Sequence, residues 1–409
     1  MNILNEKKVL LIISGGIAAY KSLELIRLLK KRGSFVKIIL TKNAKKFVTP
    51  LSVVSLSQEK VYEDLFDHKN ESEMDHISLS RWADLILVAP ATANTLAKLS
   101  NGIADNLATT VVLASDKKVL LVPAMNVRMW EHKATQRNLN KLFSYGYKFI
   151  GPIDGEMACG EYGKGKMSSP RQIVSYLEKY FKQKDYLKKK NIKATVTTGP
   201  TREYIDPVRY ISNESSGKQG YEIALELSRL GVKTTLISGP TNINYSKEIK
   251  VKKVISGKQM LSEVKKNLPT DIVVCTAAVS DFVPVLKNKQ KIKKKLNLSE
   301  IKLEKNPDIL EFLGKNNRFK PKLLVGFSAE TENLLKNSIE KMREKYCDII
   351  VGNDVSNKEI GFNSEFNEVI VIDKNGETQK IKKNSKKFIA SIIAKKIVNS
   401  FLDIEKRLN

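Results

Sequence analysis

The chain has 409 residues, 42% hydrophobic and 28% charged, which exceeds one ordinary core and suits two or three folded, soluble domains. Its formal net charge of +27 invites a polyanion partner, yet the lysines are spread along the chain and the densest runs lack interleaved aromatics or a nucleic-acid-binding motif. The 3 cysteines, Cys159, Cys275 and Cys347, form no CxxC pair, so neither a disulfide framework nor a zinc site is implied and a reducing cytoplasm fits.

From the N-terminus, Lys7–Ile13 predicts a strand, Ala18–Lys31 a helix and Phe35–Leu40 a second strand, with Gly33 where a helix C-cap belongs. The apolar run within that first strand, Val9–Ile13, is too short for a signal peptide or a spanning helix. A βαβ opening makes a parallel sheet the expectation. Asp84–Ala89 and Lys118–Val122 predict further strands, and Ala93–Leu99 and Glu131–Tyr145 predict helices. Pro123 stops the sheet ladder, and a loop follows with Asn126 between two methionines and a tryptophan. Taken locally, Asn126 reads as a helix N-cap and Met125, Met129 and Trp130 as core. The alternative is a ligand loop, since sites in open α/β sheets lie beyond the carboxyl ends of strands.

Ile150–Met167 is glycine-rich and predicts an irregular flap, and Gln172–Phe181 predicts a closing helix. Lys182–Lys190, KQKDYLKKK, is charged and without a period, and reads as a linker between domains at 1–189 and 190–409. Beyond it, strands are expected at Lys193–Thr198, Lys233–Ser238, Asp271–Ala277, Leu323–Ser328 and Asp348–Gly352, with a helix at Gln219–Leu230. Glu368–Asp373 and Glu377–Ile381 flank Asn375-Gly376, a type I′ hairpin signal. Ser385–Leu402 places Phe388, Ile389, Ile392, Ile393, Ile397 and Phe401 on one helical face. The expected fold class is α/β, two Rossmann-like domains in tandem.

PxMNxxMW at Pro123–Trp130, SGGIAAYK at Ser14–Lys21 and APATANT at Ala89–Thr95 together resemble the signature set of the flavin-dependent cysteine decarboxylases. TTGPTREYIDPVRYISNESSGK at Thr197–Lys218 closely resembles phosphopantothenate–cysteine ligase. From about Lys7 to the last helix the chain resembles the bacterial bifunctional enzymes of coenzyme A synthesis. The resemblance implies a flavodoxin-like first domain that holds FMN. Its contacts would be Ser14, Gly15, Gly16, Ile17, Thr41, Ala91, Thr92, Asn94, Asp105, Asn106 and Leu107. It implies catalytic roles for His76, Asn126 and Cys159, while His68 and His132 look like surface or N-cap histidines. Asn126, Met129, Ala158, Gly160, Lys166 and Met167 would touch substrate. Lys166 stands where the family has arginine, which keeps the charge and loses the guanidinium fork.

For the second half, the resemblance implies CTP as co-substrate, an acyl-cytidylate intermediate, and Asn213 and Lys291 as catalytic residues. No GxxxxGK[ST] loop is present there, which excludes ATP binding by a P-loop. Ser215, Ser216, Gly217 and Lys218 would cradle a phosphate. CTP contacts would come from Cys275, Thr276, Ala277, Asp281, Lys291, Pro307, Asp308, Ile309, Leu310, Phe327, Lys341 and Lys345. Without the resemblance, the lysine run 287–295 reads as a solvated charged segment. Mg2+ is expected with the triphosphate, although no dedicated metal cage is visible. The substrates would be 4′-phosphopantothenate, cysteine and 4′-phosphopantothenoylcysteine, in a homo-oligomer built from trimeric decarboxylase and dimeric ligase parts. The rivals are a decarboxylase with an inactive ligase half and a regulatory flavin-fold binding protein. The joint presence of His76, Asn126 and Cys159 argues against the latter.

Overall fold

Alternation inside buried apolar runs decides the architecture. In β1 (Lys8–Ile13), Val9, Leu11 and Ile13 join one apolar cluster while Leu10 and Ile12 join another. A strand buried on both faces belongs inside a sheet covered by helices on both sides. The computed structural model describes residues 2–65, 75–293, 300–316, 318–356 and 364–408, so His68, Lys294 and Lys295 lie outside the described residues. The chain divides into two units, Met1–Gln183 and Lys184–Asn409.

In the first unit the remaining sheet strands are β2 (Phe35–Leu40), β3 (Val61–Tyr62), β4 (Leu85–Ala91), β5 (Lys118–Pro123) and β6 (Lys148–Phe149). They are ordered β3-β2-β1-β4-β5-β6 with every pairing parallel. Between them run α1 (Tyr20–Lys31), α2 (Pro50–Ser57), α3 (Asp75–Trp82), α4 (Ala93–Asn101), α5 (Leu107–Leu113), α6 (Val127–Glu131) and α7 (Lys133–Ser144). The order reverses between β1 and β4, and the crevice at such a switch point is where an open α/β sheet binds its ligand. The helix expected at Glu131–Tyr145 is two helices, because His132 leaves helical geometry and caps α7, its Nδ1 accepting from the Ala134 N–H at 3.1 Å.

Two further expectations change. The glycine-rich stretch is not irregular: β7 (Ile153–Glu156) and β8 (Tyr162–Lys166) form an antiparallel hairpin. The charged stretch read as a linker is helical, since α8 runs from Pro170 to Lys189. Its lysines hide an anchor, Leu187, which is fully buried in the second unit's core with Tyr186 packed beside it.

The second unit repeats the same winding. Its elements are β9 (Lys193–Thr198), β10 (Glu203–Tyr204), β11 (Tyr210–Ile211), α9 (Lys218–Arg229), β12 (Lys233–Ser238), β13 (Lys250–Lys253), α10 (Gly257–Lys266), β14 (Ile272–Cys275), β15 (Phe282–Pro284) and β16 (Leu303–Lys305). There follow α11 (Ile309–Lys315), β17 (Leu323–Glu330), α12 (Leu334–Glu344), β18 (Ile349–Asp354), β19 (Phe366–Asp373), β20 (Thr378–Ser385) and α13 (Lys386–Leu408). The sheet runs β13-β12-β9-β14-β17-β18-β19-β20, parallel through β18 and antiparallel in its last two pairings. Ala194 and Val196 face α9 and the fully buried Ile389, Ile393, Ile397 and Phe401 of α13, while Val273, Leu324 and Ile350 face α10, α11 and α12. The final hairpin forms, but not through a type I′ turn. Only Gly376 is left-handed (φ 84°), in a loop closed by the Glu377 carbonyl accepting from Asp373 N–H at 3.1 Å. Among the described residues no helix is long and apolar enough to cross a membrane.

Candidate active sites

In the first unit, β1 and β4 are neighbours, and Ser14 ties their ends together. Its side chain, 2% exposed, donates to the Pro90 carbonyl at 2.6 Å and accepts from the Thr92 N–H at 3.2 Å. Thr92 in turn caps α4, and Asn106 caps α5 by accepting from Thr109 N–H at 3.1 Å. Each of these strand-end loops is thus fixed by a side-chain hydroxyl or amide.

Between these loops lies a cavity of about 900 Å³. Ser14, Gly15, Gly16, Ile17, Thr41, Thr92, Asn94, Asp105 and Asn106 line it, as do Asn126, Met129, Ala158, Cys159, Lys166 and Met167. Ala91 and Leu107 do not: at 0% and 1% exposure they are core beneath the loops. Gly160 and His76 are also absent from the lining, Gly160 at the exposed tip of the flap and His76 on α3. Lys21, Lys42, Asn43, Thr95 and Met157 line the cavity without having been singled out, although Lys21 ends the SGGIAAYK motif. A Cβ on Gly15 would stand 2.4 Å from the Asn43 Cβ and 2.6 Å from its backbone carbon, so only glycine lets the two loops approach this closely.

The flap hairpin closes one side. Met125 N–H donates to the Gly165 carbonyl at 3.0 Å, joining β8 to the Asn126 loop. A Cβ at Gly165 would meet the Met125 oxygen at 2.4 Å. Asn126 does cap α6, its Oδ1 accepting from Arg128 N–H at 2.7 Å, while its Nδ2 points to the flap. There it donates to Glu161 Oε2 at 2.5 Å and lies 3.4 Å from Cys159 Sγ. The N-cap reading of Asn126 holds, and Met125 and Trp130 pack against the core, but Met129, expected there, is 48% exposed and lines the cavity instead. Glu161 was not anticipated; its only signal was a place two residues after Cys159. Burial, and then the Lys166 ammonium, lower the Lys21 pKa, and both side chains line the cavity.

In the second unit the equivalent switch point lies between β9 and β14. Thr276 donates its hydroxyl to the Thr197 carbonyl at 2.6 Å, and Ala278 N–H donates to Gly199 O at 2.9 Å. Asn213 Nδ2 donates to the Val279 carbonyl at 3.0 Å, which brings Asn213 to the Cys275–Asp281 loop. Asp281 O accepts from Asn306 N–H at 2.8 Å, adding the Pro307–Leu310 segment. Ile309 and Leu310 have buried core side chains, so a ligand would meet that segment through backbone groups or Asp308. Asp308 caps α11 and pairs at 3.0 Å with Lys345, which also reaches Glu311 at 2.7 Å. Hydrogen bonds from Lys315 and Lys345 hold the Glu311 carboxyl down to about 2. Burial pushes the Cys347 thiol up to about 11 and raises Cys275 as well. Ser215 accepts from Gly217 N–H at 3.3 Å, and Lys218 is ion-paired with Glu365. Phe327 packs half-buried against the core, and Lys291 is exposed.

The Flavoprotein family matches residues 2–182, and the DNA/pantothenate metabolism flavoprotein C-terminal domain family matches residues 189–401. The coenzyme A biosynthesis bifunctional protein CoaBC of Haemophilus influenzae is 41% identical over 97% of this chain and 98% of its own length. Those of Bacillus subtilis and Escherichia coli K12 are 41% and 38% identical, over 92% and 98% of this chain and 93% and 99% of their own. Among solved structures, the C-terminal domain of a CoaBC protein aligns with TM-score 0.44 and 36% identity, over 52% of this chain and 96% of that one. A PPC decarboxylase mutant in complex with pantothenoylaminoethenethiol aligns with TM-score 0.40 and 34% identity, over 44% of this chain and 100% of that one. With near full-length relatives at this identity and both halves matched, the chain belongs to the family of bifunctional coenzyme A biosynthesis proteins, a phosphopantothenoylcysteine decarboxylase half followed by a phosphopantothenate–cysteine ligase half.

Proposed function

We propose that the chain joins 4′-phosphopantothenate to cysteine through an acyl-cytidylate made from CTP, then decarboxylates the product to 4′-phosphopantetheine with FMN held in the first unit's cavity. The observation that carries this reading is the flap hairpin, which sets Cys159 and the Asn126 amide side by side on the wall of that cavity. The close approach of Gly15 to Asn43, with capped loops on either side, suits a cradle for the FMN phosphate. Bound flavin supplies reversible oxidation at the substrate's thiol carbon, which lets the charge left by CO2 be absorbed.

The protein's own groups then have separate tasks. Asn126 Nδ2 already donates to the Glu161 carboxylate, so its geometry suits the carboxylate of the substrate. Lys21 and Lys166 attract the anionic substrate, and the Cys159 thiol holds the proton required after CO2 leaves. In the second unit Asn213 and Lys291 stabilise the acyl group and the leaving pyrophosphate, with Mg2+ bound through the phosphates and water. The protein works in the cytoplasm as a homo-oligomer. His76 does not line the cavity of its own chain, which supports its delivery to a neighbouring copy's cavity.

Gly15→Ala forces one of two packed loops to move and is expected to weaken FMN binding about tenfold or more, measured by titrating FMN into apoprotein. The subunit arrangement is tested by mixing His76→Asn and Cys159→Ser chains. If His76 serves a neighbour, hybrid assemblies contain some intact sites and regain phosphopantetheine formation, which neither variant supports alone. No recovery, in mixtures shown by mass to have exchanged subunits, would place His76 outside the reaction or wholly within one chain.

A further inference from the structure

The TREYIDPVRY segment carries a buried carboxylate that the two reactions above do not use. Asp206 is 1% exposed, and its Oδ1 accepts from the N–H groups of Val208 and Arg209, both at 2.8 Å. Those two bonds are local and make an ordinary Asx turn. The other oxygen does something that the turn does not need. Oδ2 accepts from the N–H of Ile292 at 3.2 Å, a residue 86 positions further on and itself buried. The same short segment is held at two more points. Asn288 N–H donates to the Ile205 carbonyl at 2.9 Å, and Arg209 Nη2 donates to the Ile292 carbonyl at 3.3 Å. Between these ties sits Lys291, whose side chain is exposed.

We infer that Asp206 is a positioning residue for Lys291, fixing the base of a cation that lies among like-charged neighbours. Its place in the chain adds a second link. The turn that Asp206 closes leads through β11 to Ser212 and Asn213, and Ser212 donates its hydroxyl to the Thr201 carbonyl at 2.7 Å. One buried carboxylate therefore sets the loop of Lys291 relative to the loop of Asn213. A donor contributes to charge stabilisation only when it is in place before the charge develops. Although burial works against ionisation, the N–H donors from Val208, Arg209 and Ile292 hold the carboxyl below its usual range. It is thus an acceptor at both oxygens throughout the neutral range.

The inference rests on the reading of Lys291 as a ligase residue, and the test separates the two. In the full chain, Asp206→Asn keeps one acceptor for the turn but turns an NH2 toward the Ile292 N–H, a donor facing a donor. Asp206→Ser keeps a turn acceptor and cannot reach Ile292. Both are expected to lower ligase kcat about tenfold, with KM for CTP and cysteine and decarboxylase rate close to those of the unaltered protein, and with the unfolding temperature lowered by a few degrees but still far above the assay temperature. Lys291→Gln serves as the reference, and the double variant Asp206→Asn/Lys291→Gln should be no slower than Lys291→Gln alone. Multiplied losses in the double variant, or unaltered kcat in both Asp206 variants, would overturn the positioning role. A Lys291→Gln protein with normal ligase activity would instead remove the reading of Lys291, and with it the group that Asp206 is said to position.

Discussion

Cys159→Ser is expected to go on releasing CO2 from phosphopantothenoylcysteine while forming almost no phosphopantetheine. Cys159 is exposed on the turn joining β7 and β8, a turn closed by Gly160 N–H donating to the Met157 carbonyl at 2.9 Å. A thiol there can deliver a proton to the enethiolate left after CO2 departs, and a serine hydroxyl is far too weak an acid to replace it. Loss of a positioned proton donor typically costs about 10²–10⁴-fold. CO2 trapping and mass spectrometry of the thiol product read the two halves of the reaction separately. An enethiol should build up in place of the saturated aminothiol. Equal loss of CO2 and product would give Cys159 an earlier role or a structural one.

Lys291→Gln should abolish amide formation and leave the flavin spectrum and the decarboxylase unchanged. A donor aimed at developing charge in a water-excluded site is worth about 2.7–4 kcal/mol, or about 10²–10³ in rate. Lys291 and Lys293 are both exposed in the free protein, so the account requires bound substrate to exclude water from Lys291 alone, and Lys293→Gln should cost only the about 0–1 kcal/mol of a solvated charge. Asn213→Asp differs in kind. Its amide now donates to the Val279 carbonyl at 3.0 Å, and a carboxylate there can donate neither to that oxygen nor to an acyl oxygen. The acyl-cytidylate should therefore form and convert slowly, visible by rapid quench with labelled CTP. Equal, mild losses at Lys291 and Lys293 would show that the run acts only as diffuse charge.

The parallel strands were legible because burial on both faces writes them as continuous apolar runs, as in Val9–Ile13 and Leu120–Val122. The strand-end loops were legible because capping and turn residues follow each run, with Ser14, Thr92 and Asn126 now seen bonding between or within loops. The flap hairpin was hidden by its glycines, which read as loop. Gly155 pairs with Gly163, and Gly165 is small because the Met125 carbonyl lies against it, so here glycine marks close approach inside a strand. Helix α8 was truncated for the opposite reason, as lysines around Tyr186 and Leu187 masked the apolar anchors. The tertiary partners stayed invisible. Nothing local separates Asp206 from a solvated aspartate in a turn, or Glu203, 1% exposed and accepting from Gly257 N–H at 2.7 Å, from a surface glutamate. Those are contacts between segments far apart in sequence, and side-chain type alone does not encode them.

The most direct measurement supplies the purified full chain with 4′-phosphopantothenate, cysteine, CTP and Mg2+, and follows nucleotide, CO2 and thiol products together by mass spectrometry. The account predicts phosphopantetheine, CMP and CO2 in equal amounts, with phosphopantothenoylcysteine as a transient and no product when CTP is left out. Phosphopantothenoylcysteine that forms but is never decarboxylated, or added phosphopantothenoylcysteine that is decarboxylated while none is made, would contradict a chain with two working sites.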